Sequence, residues 1–374
     1  VTDNMARTLA RTARSLIVRD SHDFSVALCN AAGELVCGGV GIAVHLESIP
    51  NAVGALPEAM RLSMKPGDLV IMNDPYAGGM HLPDIFVFKP LFIDGALSGF
   101  AAAVAHMADV GGRVPGGNAA DSTEIFQEGV RIPPLKLYSQ GVLNEDLFTL
   151  IKTNVRQPDL LVADLQAEIA ACNTADTEFQ MLGRRMGGAR LHRYMDELIA
   201  YGERMGRMAL RALKAGRYSF VDHIDDDGVG GDPVRIEVTA EVKPDGIYVD
   251  FTGTAPQVRS AINAPISITR SAVAFVVKAL IGQEIPNNSG FLRLLHVSAP
   301  EGSVVNMAFP AACAARAVTA YRVTDALMGA FAPLRPERVP AAGDGGPAVI
   351  SVGGEDADGK PFVFILEKDG AKFV

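Results

Sequence analysis

Two histidines and an aspartate have a spacing in the sequence that would allow them to bind a metal ion. Residues 73–84 have the sequence NDPYAGGMHLPD, in which His81 and Asp84 form an H-x-x-D pair on an irregular turn. A second histidine, His106, ends a predicted strand and is followed by Asp109. Imidazole nitrogens together with a carboxylate suit zinc, manganese or iron, and such an ion polarises a carbonyl or activates water. The same spacing also permits a plainer interpretation, a capping aspartate and two loop histidines.

Other charged residues allow both a functional and a structural interpretation. Arg131 and Lys136 flank the two prolines of EGVRIPPLKL and could bind an anion, although most such pairs are simply solvated. Asp23 precedes a short predicted strand over residues 24–28, where a carboxylate often starts the strand. The four cysteines lack CxxC spacing, which argues against a disulfide framework or a thiolate zinc site. Cysteine usage therefore predicts a reducing, cytoplasmic compartment.

The helices and strands that must position these side chains can be predicted from the sequence, and together they indicate an α+β fold in three parts. Residues 1–143 are strand-rich and contain the metal-site candidates, residues 144–215 form a helical block, and residues 216–374 mix strands and helices. The first part begins with a predicted helix over residues 3–19. Residues 45–64 also have helical character, with prolines at 50 and 57 as start or kink points.

Composition excludes several classes of protein. The chain has 374 residues, with 34 Lys and Arg against 43 Asp and Glu, and a net charge of −9. This acidic balance argues against a general nucleic-acid surface, which needs clustered cations. No apolar run approaches the roughly 20 residues that a membrane-spanning helix needs. The sequence also lacks GxxxxGK[ST], GxSxG and HExxH motifs, so it contains no common nucleotide-binding, serine-hydrolase or helical zinc-hydrolase signature.

Four motifs in order resemble the hydantoinase B/oxoprolinase family over most of the chain, from about residue 5 to about residue 365. They are NDPYAGGMHLPDI, AHMADVGG, DSTEIFQEGVRIPPLKL and DFTGTAPQVRSAINAP. The resemblance implies a divalent metal held by His81, Asp84, His106 and Asp23, with zinc or manganese first and iron as a further candidate. Asp109, Asp121 and Glu124 are the candidates for a general base. Family members usually continue beyond the last residue of this chain, so we expect a C-terminal extension to be missing.

The same resemblance implies a function shared between subunits. A hydantoinase A-like partner would use ATP to activate a cyclic amide, and this chain would supply the metal site for hydrolysis of a hydantoin, lactam or 5-oxoproline ring. One alternative is a subunit of an acetone- or acetophenone-type carboxylase that uses bicarbonate. A second is an assembly subunit that keeps the fold without the chemistry. All three functions predict a hetero-oligomer, and we expect it to contain two copies of each subunit. None of them requires nucleic acid or a membrane as a partner.

Overall fold

The N-terminal third of the chain forms a seven-stranded antiparallel sheet. The computed structural model describes residues 1–39, 41–42, 45, 47–282, 284–343 and 348–368. The sheet has the strand order β2-β1-β5-β4-β3-β6-β7. Its strands are β1 (Phe24–Asn30), β2 (Leu35–Gly38), β3 (Leu69–Met72), β4 (Asp84–Ile93), β5 (Ala96–His106), β6 (Leu135–Ser139) and β7 (Val142–Leu143).

The two central strands of this sheet, β4 and β5, are buried on both faces. In β5 every residue from Ser98 to His106 is buried, which matches its nearly uninterrupted run of small apolar residues. One face packs against helices from the start and the middle of the chain, and the other packs against helices from residues 48–54 and 266–281. A sheet end that carries polar residues is therefore enclosed by protein on both sides.

The prediction of a single N-terminal helix over residues 3–19 is wrong. The chain forms α1 (Thr2–Thr12) and α2 (Leu16–Arg19), separated by an extended corner at Ala13. The Oδ1 atom of Asp164 accepts bonds from the corner's backbone N–H groups, at 2.7 Å from Arg14 and 3.1 Å from Ser15. A carboxylate from another helix thus supplies the bonds that a continuous helix would have made internally.

The predicted helical segment over residues 45–64 contains two short helices, α3 (Ser48–Gly54) and α4 (Glu58–Leu62). Pro57 is the N-cap residue of α4 and marks the break, in agreement with the sequence-based expectation of a kink there.

The central helices are α5 (Glu145–Thr153), α6 (Pro158–Met186) and α7 (Gly188–Arg211). Their buried residues belong to the cores of the flanking sheets. Those of α6 pack into the N-terminal core, whereas Ala209 and Leu210 at the end of α7 pack into the C-terminal core. The helical block therefore links the two sheets, and the domain boundaries at 143 and 215 stay a prediction.

The C-terminal part holds a four-stranded sheet, two long helices and a hairpin. The sheet order is β11-β10-β9-β8, with β10 and β11 parallel. Its elements are β8 (Gly216–Ile224), β9 (Val234–Lys243), β10 (Gly246–Asp250), α8 (Ile266–Ile281), α9 (Ser289–Leu292), β11 (Leu295–Ser298), α10 (Ala317–Phe331), β12 (Ala348–Glu355) and β13 (Pro361–Lys368). The predicted α+β class is confirmed. In the part of the chain that the structure describes, no helix combines the length and apolarity needed to span a membrane.

Candidate metal centre

The turn that carries His81 and Asp84 is set by local hydrogen bonds before β4 begins. Asp74 accepts a bond from Tyr76 N–H and so caps a short 3-10 turn. Gly78 follows with φ at +92°, and Asp84 N–H then closes a further turn on the His81 carbonyl at 3.1 Å. This path brings the His81 and Asp84 side chains together, three residues apart in sequence.

Asn73, the first residue of the NDPY motif, joins this turn to a second loop. Its Nδ2 donates to the carbonyls of Leu82 and Val130, at 2.7 and 2.9 Å. Its Oδ1 accepts a bond from Ile132 N–H at 2.7 Å. The side chain is buried, and a carboxamide supplies both the donors and the acceptor that this junction needs.

Substituting Gly78 by alanine is expected to destabilise the protein by more than the strain of a left-handed residue alone. A Cβ there would lie 2.9 Å from the Asn51 carbonyl oxygen, and the residue has φ +92°. Gly95 has φ +81° with open space around a Cβ, so Gly95→Ala is a matched control for the backbone strain. We expect Gly78→Ala to lower the free energy of unfolding by about 2–4 kcal/mol and Gly95→Ala by about 1–2 kcal/mol, measured by denaturant titration. An equal decrease in the free energy of unfolding in the two variants would show that the turn at residue 78 accommodates the added methyl group without a steric cost.

The strand register brings His106 beside Asp84. Asp84 is the first residue of β4, His106 is the last residue of β5, and the two are directly paired. The backbone N–H of His106 donates to the carbonyl of Asp23, which precedes β1. Three neighbouring strand ends therefore place Asp23, His106 and Asp84 in one row.

The donor atoms of His81, Asp84 and His106 form a nearly equilateral triangle. His81 Nε2 lies 3.2 Å from His106 Nδ1 and 3.1 Å from Asp84 Oδ1. The third side, from His106 Nδ1 to Asp84 Oδ1, is 3.1 Å. With bonds of about 2.1 Å, adjacent ligands are about 3.0 Å apart on an octahedral ion and about 3.4 Å apart on a tetrahedral one. These three residues therefore fit one face of a coordination shell, and they form a potential metal-binding group.

Asp23 lies at the edge of this triangle. Its Oδ2 is 3.7 Å from His106 Nδ1, and the residue is buried. The structure thus brings together all four residues for which the family resemblance implied a metal site. Asp23 as a ligand stays a prediction, because its carboxylate lies farther from the donor atoms than they lie from one another.

Burial and charge set the protonation of the triangle. Burial, reinforced by the cationic Arg316, lowers the pKa of His81 to about 3. Burial alone would raise the pKa of Asp84, but His81, Arg316 and the histidine hydrogen bonds outweigh it and hold that pKa well below its usual range. Burial opposes protonation of His106, whereas its bond to Asp84 and the charge of Asp23 raise its pKa. At neutral pH a neutral His81 and an ionised Asp84 are therefore ready to bind a cation.

Arg316 is a site residue that the sequence analysis missed. It is the N-cap residue of α10, more than 200 residues along the chain from the H-x-x-D turn. Its Nη1 lies 2.6 Å from His81 Nδ1, and its Nη2 donates to Asp84 Oδ2 at 2.8 Å. The signal in the sequence was a lone arginine within the otherwise apolar segment AACAARAV.

Asp109, a predicted general base, has both carboxylate oxygens bound by N–H donors. Gly111 N–H and Arg156 N–H donate to Oδ1, at 3.0 and 2.9 Å. Gly116 N–H and the Arg156 guanidinium donate to Oδ2, at 3.1 and 3.0 Å. This buried carboxylate is therefore well placed to order the glycine-rich loop that follows β5.

The other two base candidates lie on the outer part of the same loop. Asp121 is exposed and forms an ion pair with Arg113. Glu124 is exposed and precedes the 3-10 turn Ile125–Gln127. Neither has a hydrogen bond that ties its carboxylate to the metal-site residues among the contacts described.

The two predicted anion-binding residues lie in different surroundings. The Arg131 guanidinium lies 5.0 to 5.9 Å from the ring centroids of Tyr76, Phe126 and Phe309, and 3.8 Å from Asp74. Lys136 donates to buried Asp68 at 2.6 Å on the β6 side of the sheet. Arg131 is thus part of an exposed aromatic cluster, and Lys136 is part of an ion pair.

Glu128 is a second buried group that the sequence analysis did not select. Its Oε1 accepts bonds of 2.8 Å from Cys313 N–H and Ala314 N–H, just before Arg316. Burial raises the pKa of Glu128 to about 7 against the opposing effect of these bonds. Glu128 therefore anchors the segment from which Arg316 reaches the donor triangle.

Comparison with known proteins finds one family model that matches residues 1–371, described as hydantoinase B/oxoprolinase. Among curated relatives, the B-type component of a putative D-/L-hydantoinase from a Pseudomonas strain is 33% identical, and the match covers 94% of this chain and 62% of the relative. The chain thus spans about three-fifths of the length of the first curated relatives it matches.

Two solved structures share the fold. The ATP-dependent caprolactamase of Pseudomonas jessenii is 30% identical, with a TM-score of 0.88 over 95% of this chain and 61% of that one. An acetone carboxylase structure has a TM-score of 0.89 at 19% identity, over 97% of this chain and 51% of that one. The second similarity shows a common fold alone.

Proposed function

The chain belongs to the hydantoinase B/oxoprolinase family, and from that membership we propose that it is the metal-bearing subunit of an ATP-dependent cyclic-amide hydrolase. The proposed substrates are hydantoin, lactam or 5-oxoproline rings, activated by a hydantoinase A-like ATPase subunit. The observation that carries the proposal is the buried triangle of His81, Asp84 and His106. Its nitrogen and oxygen donors suit zinc or manganese, and also iron.

The residues of the site have two proposed roles: four of them bind the ion, and Arg316 orients one of these ligands. His81, Asp84 and His106 would hold it, with Asp23 next to His106 as the proposed fourth ligand. A bound divalent ion would polarise the carbonyl of the activated amide or lower the pKa of water. Arg316 fixes the Asp84 carboxylate through its second oxygen, which leaves Oδ1 directed at the histidines.

The proton-transferring residue is proposed to come from the loop after β5. Asp121 and Glu124 have exposed carboxylates there and stay the candidates for the general base. Asp109 accepts hydrogen bonds from four N–H donors, which supports a role in ordering this loop instead of in proton transfer. Arg131 is retained as a proposed substrate-binding residue because its cluster is open to solvent, whereas the ion pair of Lys136 with Asp68 supports a structural role.

A partner subunit is part of the proposal. Two relatives are named as single components of larger enzymes, the B-type component of a hydantoinase and the beta component of a caprolactamase. The caprolactamase structure is described as ATP-dependent. The present sequence has no nucleotide-binding motif, so ATP use would belong to the second subunit, in a complex proposed to hold two copies of each.

The test is an assay of the complex with its ATPase subunit. Hydantoin, 5-oxoproline and caprolactam are supplied with ATP, and acetone and acetophenone are supplied in separate reactions. Ring-opened acid, ADP and label in the product are measured with and without labelled bicarbonate. Metal-dependent ring opening supports the proposal. Label retained in a stable product from acetone or acetophenone would replace it with the carboxylase alternative.

A non-catalytic assembly role is distinguished by variants of the same complex. His106→Ala removes a triangle residue, and His223→Ala removes an exposed histidine on β8 as a matched control. The proposal requires loss of activity in the first variant alone. Unchanged activity in both, with no metal in the purified complex, would leave only the assembly role.

A further inference from the structure

A cavity of about 550 Å³ lies beside the edge strand of the C-terminal sheet. The edge strand β11 and its neighbour β10 form one wall, and the turn between β1 and β2 together with residues from α3, α8 and α9 forms the other. Among the described residues that line it, none belongs to the donor triangle. Small-molecule sites usually have volumes of about 300–1,000 Å³, so the cavity has the size of a ligand site separate from the metal centre.

The strand wall of this cavity presents an aromatic pair and a carboxylate. Tyr248 on β10 is paired with His296 on β11, and the two rings stack with centroids 4.3 Å apart and planes at 15°. Asp250 lies two residues beyond Tyr248 and therefore on the same face of its strand. This wall offers an aromatic surface with a negative charge beside it.

The helical wall carries one arginine that is neutralised by ion pairs and one that is not. Arg293 forms ion pairs with Glu34 and Glu203. Arg270, on α8, donates from Nη1 to the side-chain oxygen of Asn51 at 3.1 Å and has no ion pair with an acid among the described residues. The cavity therefore holds a half-buried guanidinium whose charge is not neutralised by an ion pair.

Glu47 places an unpaired carboxylate in the same cavity. It is the N-cap residue of α3, and its backbone N–H donates to Ser271 Oγ on α8 at 3.1 Å. The carboxylate itself has no hydrogen bond or ion pair among the contacts of the described residues. Burial raises the pKa of Glu47 to about 7, against the opposing charge of Arg270. Arg270 thus acts on this carboxyl group from too far away to form a salt bridge with it, and both groups line the cavity.

We propose that this cavity binds a zwitterionic amino acid, with the ligand's carboxylate on Arg270 and its ammonium group at Glu47. A guanidinium binds a carboxylate through paired N–H donors, and an unpaired carboxylate favours an ammonium group. A simple anion is disfavoured, because Glu47 and Asp250 would leave two negative charges facing it. A ligand with both charges satisfies Arg270 and Glu47 at once. The inference does not depend on the proposed function, because no step of it involves the metal centre.

A set of ligands with the same six-carbon chain tests whether both charges are required. The probes are norleucine and 6-aminohexanoate, which carry the two charges close together or far apart, and hexanoate and hexylamine, which carry one charge each. We expect at least one of the two amino acids to bind the purified protein at pH 8, and each singly charged probe to bind at least ~10-fold more weakly, measured by isothermal titration calorimetry. Equal binding of an amino acid and a singly charged probe, or no binding of either amino acid, would overturn the proposal.

Variants that remove one charge test which residue binds each end of the ligand. Arg270→Gln and Glu47→Gln should each weaken binding of the amino acid by ~10-fold, because each removes one charged contact. Arg193→Gln and Glu58→Gln are the matched controls, since both residues are exposed on helices outside the cavity. Both controls should bind the amino acid as the unmodified protein does. Undiminished binding in Arg270→Gln or in Glu47→Gln would contradict the proposal.

A measurement on the unmodified protein covers the case in which Arg270→Gln fails to fold. His296 lines the cavity, and His223 is exposed on β8 outside it. The proposal requires the ring resonance of His296 to shift with the amino acid and to saturate at the calorimetric Kd, while the resonance of His223 stays in place. Spectra of His296→Gln and His223→Gln assign the two resonances. Binding of the amino acid without a shift at His296 would show that it binds elsewhere, and the proposal would then be wrong.

Discussion

Replacing His106 by alanine is expected to abolish the proposed metal binding and, with it, the proposed ring-opening activity of the complex. His106 Nδ1 is one corner of the donor triangle, 3.1 Å from Asp84 Oδ1. Removing even an outer-shell partner of a metal site costs ~10–100-fold in affinity, so the loss of a ligand should cost at least ~100-fold. Metal content after dialysis and ring-opening activity are the measurements. His106→Ala is a cleaner test than His81→Ala, since the latter also removes the contact of Arg316.

The control for this experiment must separate loss of the ion from loss of the fold. His223→Ala removes an exposed histidine and should keep full metal content and activity. Circular dichroism of His106→Ala should show the helices intact, because the triangle lies at a strand end. A folded His106→Ala protein that retains one metal equivalent after dialysis would rule out the triangle as the binding site.

Replacing Glu168 by methionine is expected to stabilise the protein. Glu168 lies on α6 against the sheet, fully buried, and neither carboxylate oxygen has a hydrogen-bond partner among the described residues. Burial, with the nearby charges of Asp164 and Asp84, raises its pKa well above the usual 4.5. Removing an unsatisfied buried group should raise the free energy of unfolding by about 1–3 kcal/mol at pH 8.

The sign of the pH dependence follows from proton binding. Between the unfolded pKa near 4.5 and the higher folded value, the folded protein keeps a proton that the unfolded chain has lost. Stability therefore falls as pH rises through this window, and the gain from Glu168→Met should be largest at pH 8 and smallest near pH 4. Urea titrations at several pH values measure it.

Glu168→Gln is the matched variant, because it removes the titration but keeps a polar side chain. In Glu168→Gln the pH dependence of the free energy of unfolding that Glu168 causes should be lost. The gain in stability should be smaller than that of Glu168→Met, because the amide is still a buried polar group. If both variants were less stable than the unmodified protein at every pH, Glu168 would have a partner that stabilises its ionised form.

The N-terminal helix shows how far local sequence patterns reach. Apolar spacing over residues 3–19 is typical of one amphipathic helix, and both observed helices lie within residues 2–19. The break between them depends on Asp164, which is about 150 residues away in sequence. Periodicity reports which face of a segment is buried, but it carries no information about a distant carboxylate that binds the backbone.

The sequence by itself determined the α+β class and predicted the strand that follows Asp84 and the strand that ends at His106. It also made His81, Asp84 and His106 candidates for a metal centre. These follow from residue type, spacing and strand periodicity, which are properties of short segments. Only the tertiary structure decided that Arg316 binds His81 and Asp84, and that Asp109 is enclosed by N–H donors. The physical reason is that a hydrogen bond depends on distances of about 3 Å, and chain segments far apart in sequence acquire such distances only when the two cores pack.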